Sequence, residues 1–175
     1  AGPMIRAFEG HRPQLAEGAW VDDSAQVIGN VQLGADSSVW PLVTIRGDVQ
    51  AIRIGARSNV QDNSCLHVTH DGPYSPGGAG LDIGDDVTIG HGVILHACTI
   101  GHRVMIGMGS LVMDEVVIAD GDILAISRTA DLEQIEALER HQLRRATPIA
   151  PSHAHQADQG RVHGVCLMVG WTSGR

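Results

Sequence analysis

Residues 83–106 read IGDDVTIGHGVILHACTIGHRVMI, and the spacing of their apolar residues decides the fold. Ile83, Ile89 and Leu95 lie six apart; one five-residue step leads to Ile100, and Ile106 restores the six. Outward from this stretch the interval runs back through Val21, Val27, Leu33, Val39 and Ile45, then Ile54, Val60 and Leu66. It runs forward through Val112 to Ile118. Glycine follows an apolar residue at Gly29, Gly34, Gly55, Gly84, Gly90, Gly101 and Gly107. An α-helix, with about 3.6 residues per turn, would scatter a sixfold series around its surface. Sandwich strands alternate with period two and recur far less evenly. A parallel β-helix accounts for the series. Each hexapeptide is one short edge, three edges close a coil, the apolar residue points inward, and glycine frees the backbone near the corner.

Two segments interrupt the coils. Val49 to Arg53 is a minor insertion, and His70 to Leu81 (HDGPYSPGGAGL) is a Gly- and Pro-rich loop projecting from one corner. The chain is therefore expected to be mainly β, with a hexapeptide-repeat β-helix domain at 4–124. A connector and C-terminal α-helix follow at 125–145. Within it Asp131 to Arg145 is amphipathic, with Leu132, Ile135, Leu138 and Leu143 on or near one face and Thr129 or Asp131 as cap. Residues 146–175, rich in His, Gly and small residues, are expected to form an atypical tail, disordered or loosely packed.

The formal net charge is −8, and no basic run precedes Arg144-Arg145. That argues against nucleic acid or an anionic membrane surface as partner. All twelve basic residues are arginine, which excludes a Schiff-base lysine and the phosphate-loop lysine within this chain. Cys65, Cys98 and Cys166 lack CxxC spacing and read as reduced, mostly buried cysteines. With no signal peptide and no membrane-length apolar run, a cytoplasmic location is expected.

Labelling the edges of each coil first, second and third places the histidines. If the loop is a pure insertion, Ile45, Leu66 and Leu95 stack on the third edge, so Arg46, His67 and His96 form one outward-facing column. Coils lie about 4.8 Å apart, close enough for two imidazoles to converge on one ion with bonds of about 2.0–2.1 Å. His91 follows the second edge, around a corner from His96. A threefold trimer resolves the geometry, because the second edge of one subunit can face the third edge of its neighbour. Three interfacial sites are expected, each with two ligands from one chain and one from another. The competing reading is a set of exposed polar residues on a solvated face.

Three nitrogen ligands with an open position make a hydration or hydrolytic zinc site, in which bound water is acidified into the neutral range. Asp62, one coil from His91 in the same column, is placed to orient it. Gln61 is placed to hydrogen-bond a bound water or bicarbonate. Arg46 and Asp48 are expected to pair across the subunit contact, with a plain surface pair as the alternative.

The stretches VWPLVTIRGD (39–48), IGARSNVQDN (54–63), LHVTH (66–70) and IGHGVILHACTIG (89–101) resemble the γ-class carbonic anhydrases and their close bacterial relatives. The resemblance covers roughly residues 8–118 and implies a left-handed β-helix, a homotrimer, and zinc (or iron or cobalt) at subunit interfaces. It implies reversible hydration of carbon dioxide to bicarbonate by metal-bound hydroxide, with His67, His91 and His96 as ligands. Arg46, Asp48, Gln61 and Asp62 match further motif positions, and Gln61, Arg46 and Asp62 are the catalytic candidates. Two departures stand out. The prototype enzymes shuttle protons with a glutamate in an acidic loop; here the loop offers His70, Asp71 and Tyr74. His70 is a candidate relay, with a solvated loop histidine as the other reading. The family pattern also continues its hexapeptides further, whereas this repeat fades after Ile118. Two other functions share the fold: a hexapeptide acyltransferase with an acyl-CoA donor and a histidine base, and a non-catalytic metal-binding trimer. Fold alone does not separate them.

Overall fold

The computed structural model describes residues 2–125, 161–162 and 166–167. Every regular element among them is a strand. After β1 (Met4–Arg6), the first coil holds β2 (Gln14–Leu15), β3 (Trp20–Val21) and the start of β4 (Gln26–Leu33). The second holds the end of β4, β5 (Ser38–Val39) and the start of β6 (Thr44–Ile54). The third holds the end of β6, β7 (Asn59–Val60) and β8 (Cys65–His67). The fourth is β9 (Leu81–Ile83), β10 (Thr88–Ile89) and β11 (Ile94–His96). The fifth is β12 (Thr99–Ile100), β13 (Met105–Ile106) and β14 (Leu111–Val112), and the sixth contains β15 (Val117–Ile118) and β16 (Ile123–Ala125). Strands on like edges pair in parallel from coil to coil, giving the parallel β-helix expected from the repeat, with the left hand that the family resemblance implies.

The sixfold residues form the core: Val27, Ile45, Val60, Leu66, Ile89, Leu95 and Ile106 have no accessible surface. Burying each such side chain contributes about 1.5–3 kcal/mol. A second inward series sits two residues earlier on each edge and includes Val43, Ile52, Leu81, Val87, Val93 and Cys98. Serine takes that place on some edges, and its hydroxyl joins adjacent coils. Ser58 Oγ donates to the Gly84 carbonyl at 2.8 Å and accepts from Val87 N–H at 3.0 Å. Ser64 repeats the arrangement with Gly90 and Val93. The buried hydroxyls are thereby satisfied, as interior polar groups must be.

Gly34, Gly55, Gly84, Gly90 and Gly101 serve a different purpose from the one the repeat suggests, whereas Gly29 has the left-handed backbone, φ +80°, that needs glycine's freedom. At Gly84 a Cβ would stand 2.7 Å from the backbone of Gly101 in the next coil. Close approach of the coils, rather than backbone freedom, therefore requires glycine there. The left-handed conformation falls two residues later, at Asp36, Arg57, Asp86 and Arg103 on one corner and at Leu42 and Asn63 on another. Side chains tolerate it at about 1–2 kcal/mol each, because the ladder on either side dictates the turn.

Val49–Arg53, read from sequence as an insertion, is strand: β6 runs unbroken from the third edge into the first. The extra residues are absorbed as a register irregularity opposite the segment between Gly29 and Val31. The excursion after His67 ends at Gly80, since Leu81 already belongs to β9. Its base is closed by Thr69 and Ala79, which exchange two backbone hydrogen bonds of 3.0 Å.

In the tail, β17 (Arg161–Val162) pairs with β15 and β18 (Cys166–Leu167) pairs with β16, extending the first and second edges by one step. The helix expected at 131–145 lies outside the described residues, as does the rest of 146–175.

Candidate metal centre

His67 ends β8 and His96 ends β11, and the ladder pairs them directly. Each follows an inward leucine, so alternation turns both rings outward. Their rings meet edge to face at 5.0 Å between centroids, with His67 Nδ1 3.1 Å from His96 Nε2. The opposite nitrogens face carboxylates: His67 Nε2 lies 3.0 Å from Asp48 Oδ1, and His96 Nδ1 lies 2.7 Å from Asp114 Oδ1. An ionised carboxylate only accepts, so His67 Nε2–H and His96 Nδ1–H are the donors. The facing nitrogens then present two lone pairs to one another, an arrangement relieved by a proton or a metal ion between them. Two nitrogens on one tetrahedral ion, with bonds of about 2.0–2.1 Å, stand about 3.3 Å apart. The observed 3.1 Å separation is close to that spacing.

Burial pushes the His67 imidazole below its ordinary range, against the opposing effect of the hydrogen bond it donates to Asp48. A neutral, ligand-competent ring at neutral pH follows. For Asp48, burial opposes ionisation, but hydrogen bonds from His67 and Arg46 outweigh it and hold the carboxyl low. The Thr69 hydroxyl, ahead of His96, holds Asp114 low against its partial burial.

His91 follows β10 on the second-edge sheet, apart from the other two histidines. Its Nδ1 is 3.0 Å from Asp62 Oδ2, the partner the register predicts, and the ring is half exposed, with no hydrogen bond to Nε2 among the described residues. Among the described residues of one chain, no three His, Cys, Asp or Glu side chains gather around a common point. Arg46 and Asp48, expected to meet across a subunit contact, form their ion pair within the chain. Gln61 donates to Asn59 Oδ1 at 3.2 Å on the second edge and makes no hydrogen bond to His67 or His96. His70 lies exposed in the excursion.

Three partners escaped the sequence reading: Asp48 as acceptor for His67, Asp114 as acceptor for His96, and Thr69 beside Asp114. Asp114 lies 18 residues beyond His96, one coil onward. The register sets Leu95 against Val112, so His96 stands opposite Met113 and the repeat alone does not single out Asp114.

The chain matches no family profile. It is 53% identical over 111 residues to Protein YrdA of Escherichia coli, covering 63% of this chain and 60% of that protein. It is 41% identical over 118 residues to a carbonic anhydrase of Geobacillus kaustophilus, covering 67% and 61%. Among solved structures, a hexapeptide transferase family protein from Anaplasma phagocytophilum superposes with a TM-score of 0.63 at 31% identity. That match covers 81% of this chain and 93% of the other. The chain belongs to the hexapeptide-repeat family of left-handed β-helix proteins that includes the γ-class carbonic anhydrases. Its match spans about 60% of the length of those first two relatives. Among the described residues no helix is long and apolar enough to cross a membrane.

Proposed function

We propose that the protein is a carbonic-anhydrase-like metalloenzyme that interconverts carbon dioxide and bicarbonate at the interfaces of a cytoplasmic homotrimer. The observation that carries this reading is the facing pair of His67 Nδ1 and His96 Nε2 at 3.1 Å, each ring anchored to a carboxylate by its other nitrogen. His67 and His96 of one chain, with His91 of a neighbour, would hold zinc, or iron or cobalt. The metal supplies a Lewis acid that makes hydroxide available at neutral pH.

The chain's own residues do the rest. Asp48 and Asp62 hold His67 and His91 in the tautomers that leave a lone pair outward. Arg46 neutralises Asp48 and lies on the edge a neighbour would face. Gln61, tethered to Asn59 on the second edge, is suited to orient the substrate oxygen from the neighbouring side. His70 is placed on the exposed excursion to exchange protons with solvent.

Metal analysis of the purified protein and of His91→Ala, together with stopped-flow carbon dioxide hydration, tests the reading. The expected result is about one metal per chain in the wild type, lost together with hydration in the variant. An unchanged metal content in the variant would refute the interfacial site. A full complement with only the uncatalysed rate would leave a non-catalytic metal-binding trimer. One other reading is acyl transfer from an acyl-CoA with a histidine as base, favoured by a solved Bacillus cereus relative, 32% identical, that is described as a putative acetyltransferase. Acyl transfer that survives complete chelation would decide for it.

A further inference from the structure

Around His96 the hydrogen bonds reach across three coils. Asp114 follows β14 in the fifth coil, His96 ends β11 in the fourth, and Thr69 follows β8 in the third. Asp114 Oδ1 accepts from His96 Nδ1–H at 2.7 Å, while Asp114 Oδ2 accepts from the Thr69 hydroxyl. Thr69 Oγ1 also lies 3.4 Å from His96 Nδ1. Thr69 is itself fixed by its two backbone hydrogen bonds to Ala79, which close the base of the 70–80 excursion. The carboxylate is thus held from both sides, by a ring and by a loop base.

We propose that Asp114 is the positioning residue that keeps the His96 proton on Nδ1 and the lone pair on Nε2, and that Thr69 holds the Asp114 carboxylate in the rotamer that does so. The inference rests on the metal-centre reading for its consequence but not for its geometry. A neutral imidazole has two tautomers of similar energy, and the partner at one nitrogen selects which is present. Without Asp114, the proton is free to sit on Nε2, aimed at His67 Nδ1, and the nitrogen facing His67 can no longer bind an ion. Without the Thr69 hydroxyl, the half-exposed carboxylate can rotate away from the ring. Because Thr69 closes the loop base with its backbone and holds Asp114 with its hydroxyl, seating of the excursion and aim of the ligand are linked through one residue.

The experiment uses the full chain, metal-free, with nitrogen-15 in its histidines, at a pH where His96 is neutral. Ring nitrogen–proton correlations report the tautomer directly. The wild type is expected to show Nδ1–H at His96. Asp114→Ala should move the proton to Nε2, and Asp114→Asn, whose amide oxygen still accepts, should keep it on Nδ1. Zinc competition against a chelator should find Asp114→Ala weaker by roughly 10–100-fold, with most of the loss recovered in Asp114→Asn. Thr69→Val should weaken binding in the same direction, and wild-type affinity there would overturn the rotamer role. An unmoved tautomer with undiminished affinity in Asp114→Ala would overturn the proposal as a whole. Should the wild type bind no zinc, the metal reading fails, while the tautomer comparison still decides the role of Asp114. Asp114→Asn and Thr69→Val, each near in shape to the residue replaced, keep the test alive if Asp114→Ala does not fold.

Discussion

Each of the three histidines commits one ring nitrogen to a carboxylate: His67 to Asp48, His91 to Asp62 and His96 to Asp114. That repetition distinguishes them from His102, whose Nδ1 accepts a backbone N–H from Asp85 and so serves the ladder. The opposite case at the same scale is Cys98, which occupies the inward position filled by valine at Val87, Val93 and Val104. Burial pushes its thiol up from the ordinary 9.0 to about 12. A raised acid pKa means that the folded chain retains a proton the unfolded chain has released. The resulting penalty is absent below about pH 9 and grows as pH rises towards 12. Cys98→Val should remain within about 1.5 kcal/mol of the wild type at neutral pH. Above pH 9 the wild type should lose stability relative to the variant by up to about 1.4 kcal/mol per pH unit. Urea unfolding of both proteins across that range checks the slope; parallel curves would place the thiol in a wetter site than its burial indicates.

At the scale of the edge and its corner, two kinds of glycine behave differently. Gly84 has an ordinary backbone and no room, with the Gly101 backbone 2.7 Å from where a Cβ would stand. Gly109 has room and a left-handed backbone, φ +71°, with nothing near its missing Cβ. Gly84→Ala must push two coils apart and should cost about 3 kcal/mol. Gly109→Ala meets only the left-handed strain and should cost about 1 kcal/mol. Denaturant midpoints of the two variants check the order, and equal losses would mean that the coils yield more easily than their spacing suggests. The IleGly and LeuGly dipeptides were visible in the sequence, but which glycines answer to crowding is a property of the neighbouring coil. Val49–Arg53 illustrates the same limit. Its break in the hexad was legible, whereas its absorption into a continuous β6 depended on the bulged pairing with β4.

For the whole molecule, the proposed site is incomplete in one chain, since His91 stands on a different sheet from His67 and His96. A trimer of the 18.5 kDa chain with shared sites makes a prediction that no single-chain site does. His91→Ala and His67→Ala should each lack metal alone. Unfolded together in equal amounts and refolded, they should regain about a quarter of the wild-type content, because random assembly gives each interface a one-in-four chance of an intact ligand set. Metal analysis of the mixture checks this, and no recovery in correctly sized trimers would exclude sharing between chains. By itself the sequence determined the β-helix, its coil register and the pairings of His67 with His96 and His91 with Asp62, because a sixfold apolar period leaves one way to bury those side chains. Tertiary structure alone decided that Asp48 and Asp114 orient the paired histidines, that Arg46 meets Asp48 within the chain, and that Thr69 ties the loop base to Asp114. The contacts of Asp48 and Asp114 with the histidines run diagonally between columns, where rotamers and the spacing of coils, rather than position in the repeat, determine which polar atoms meet.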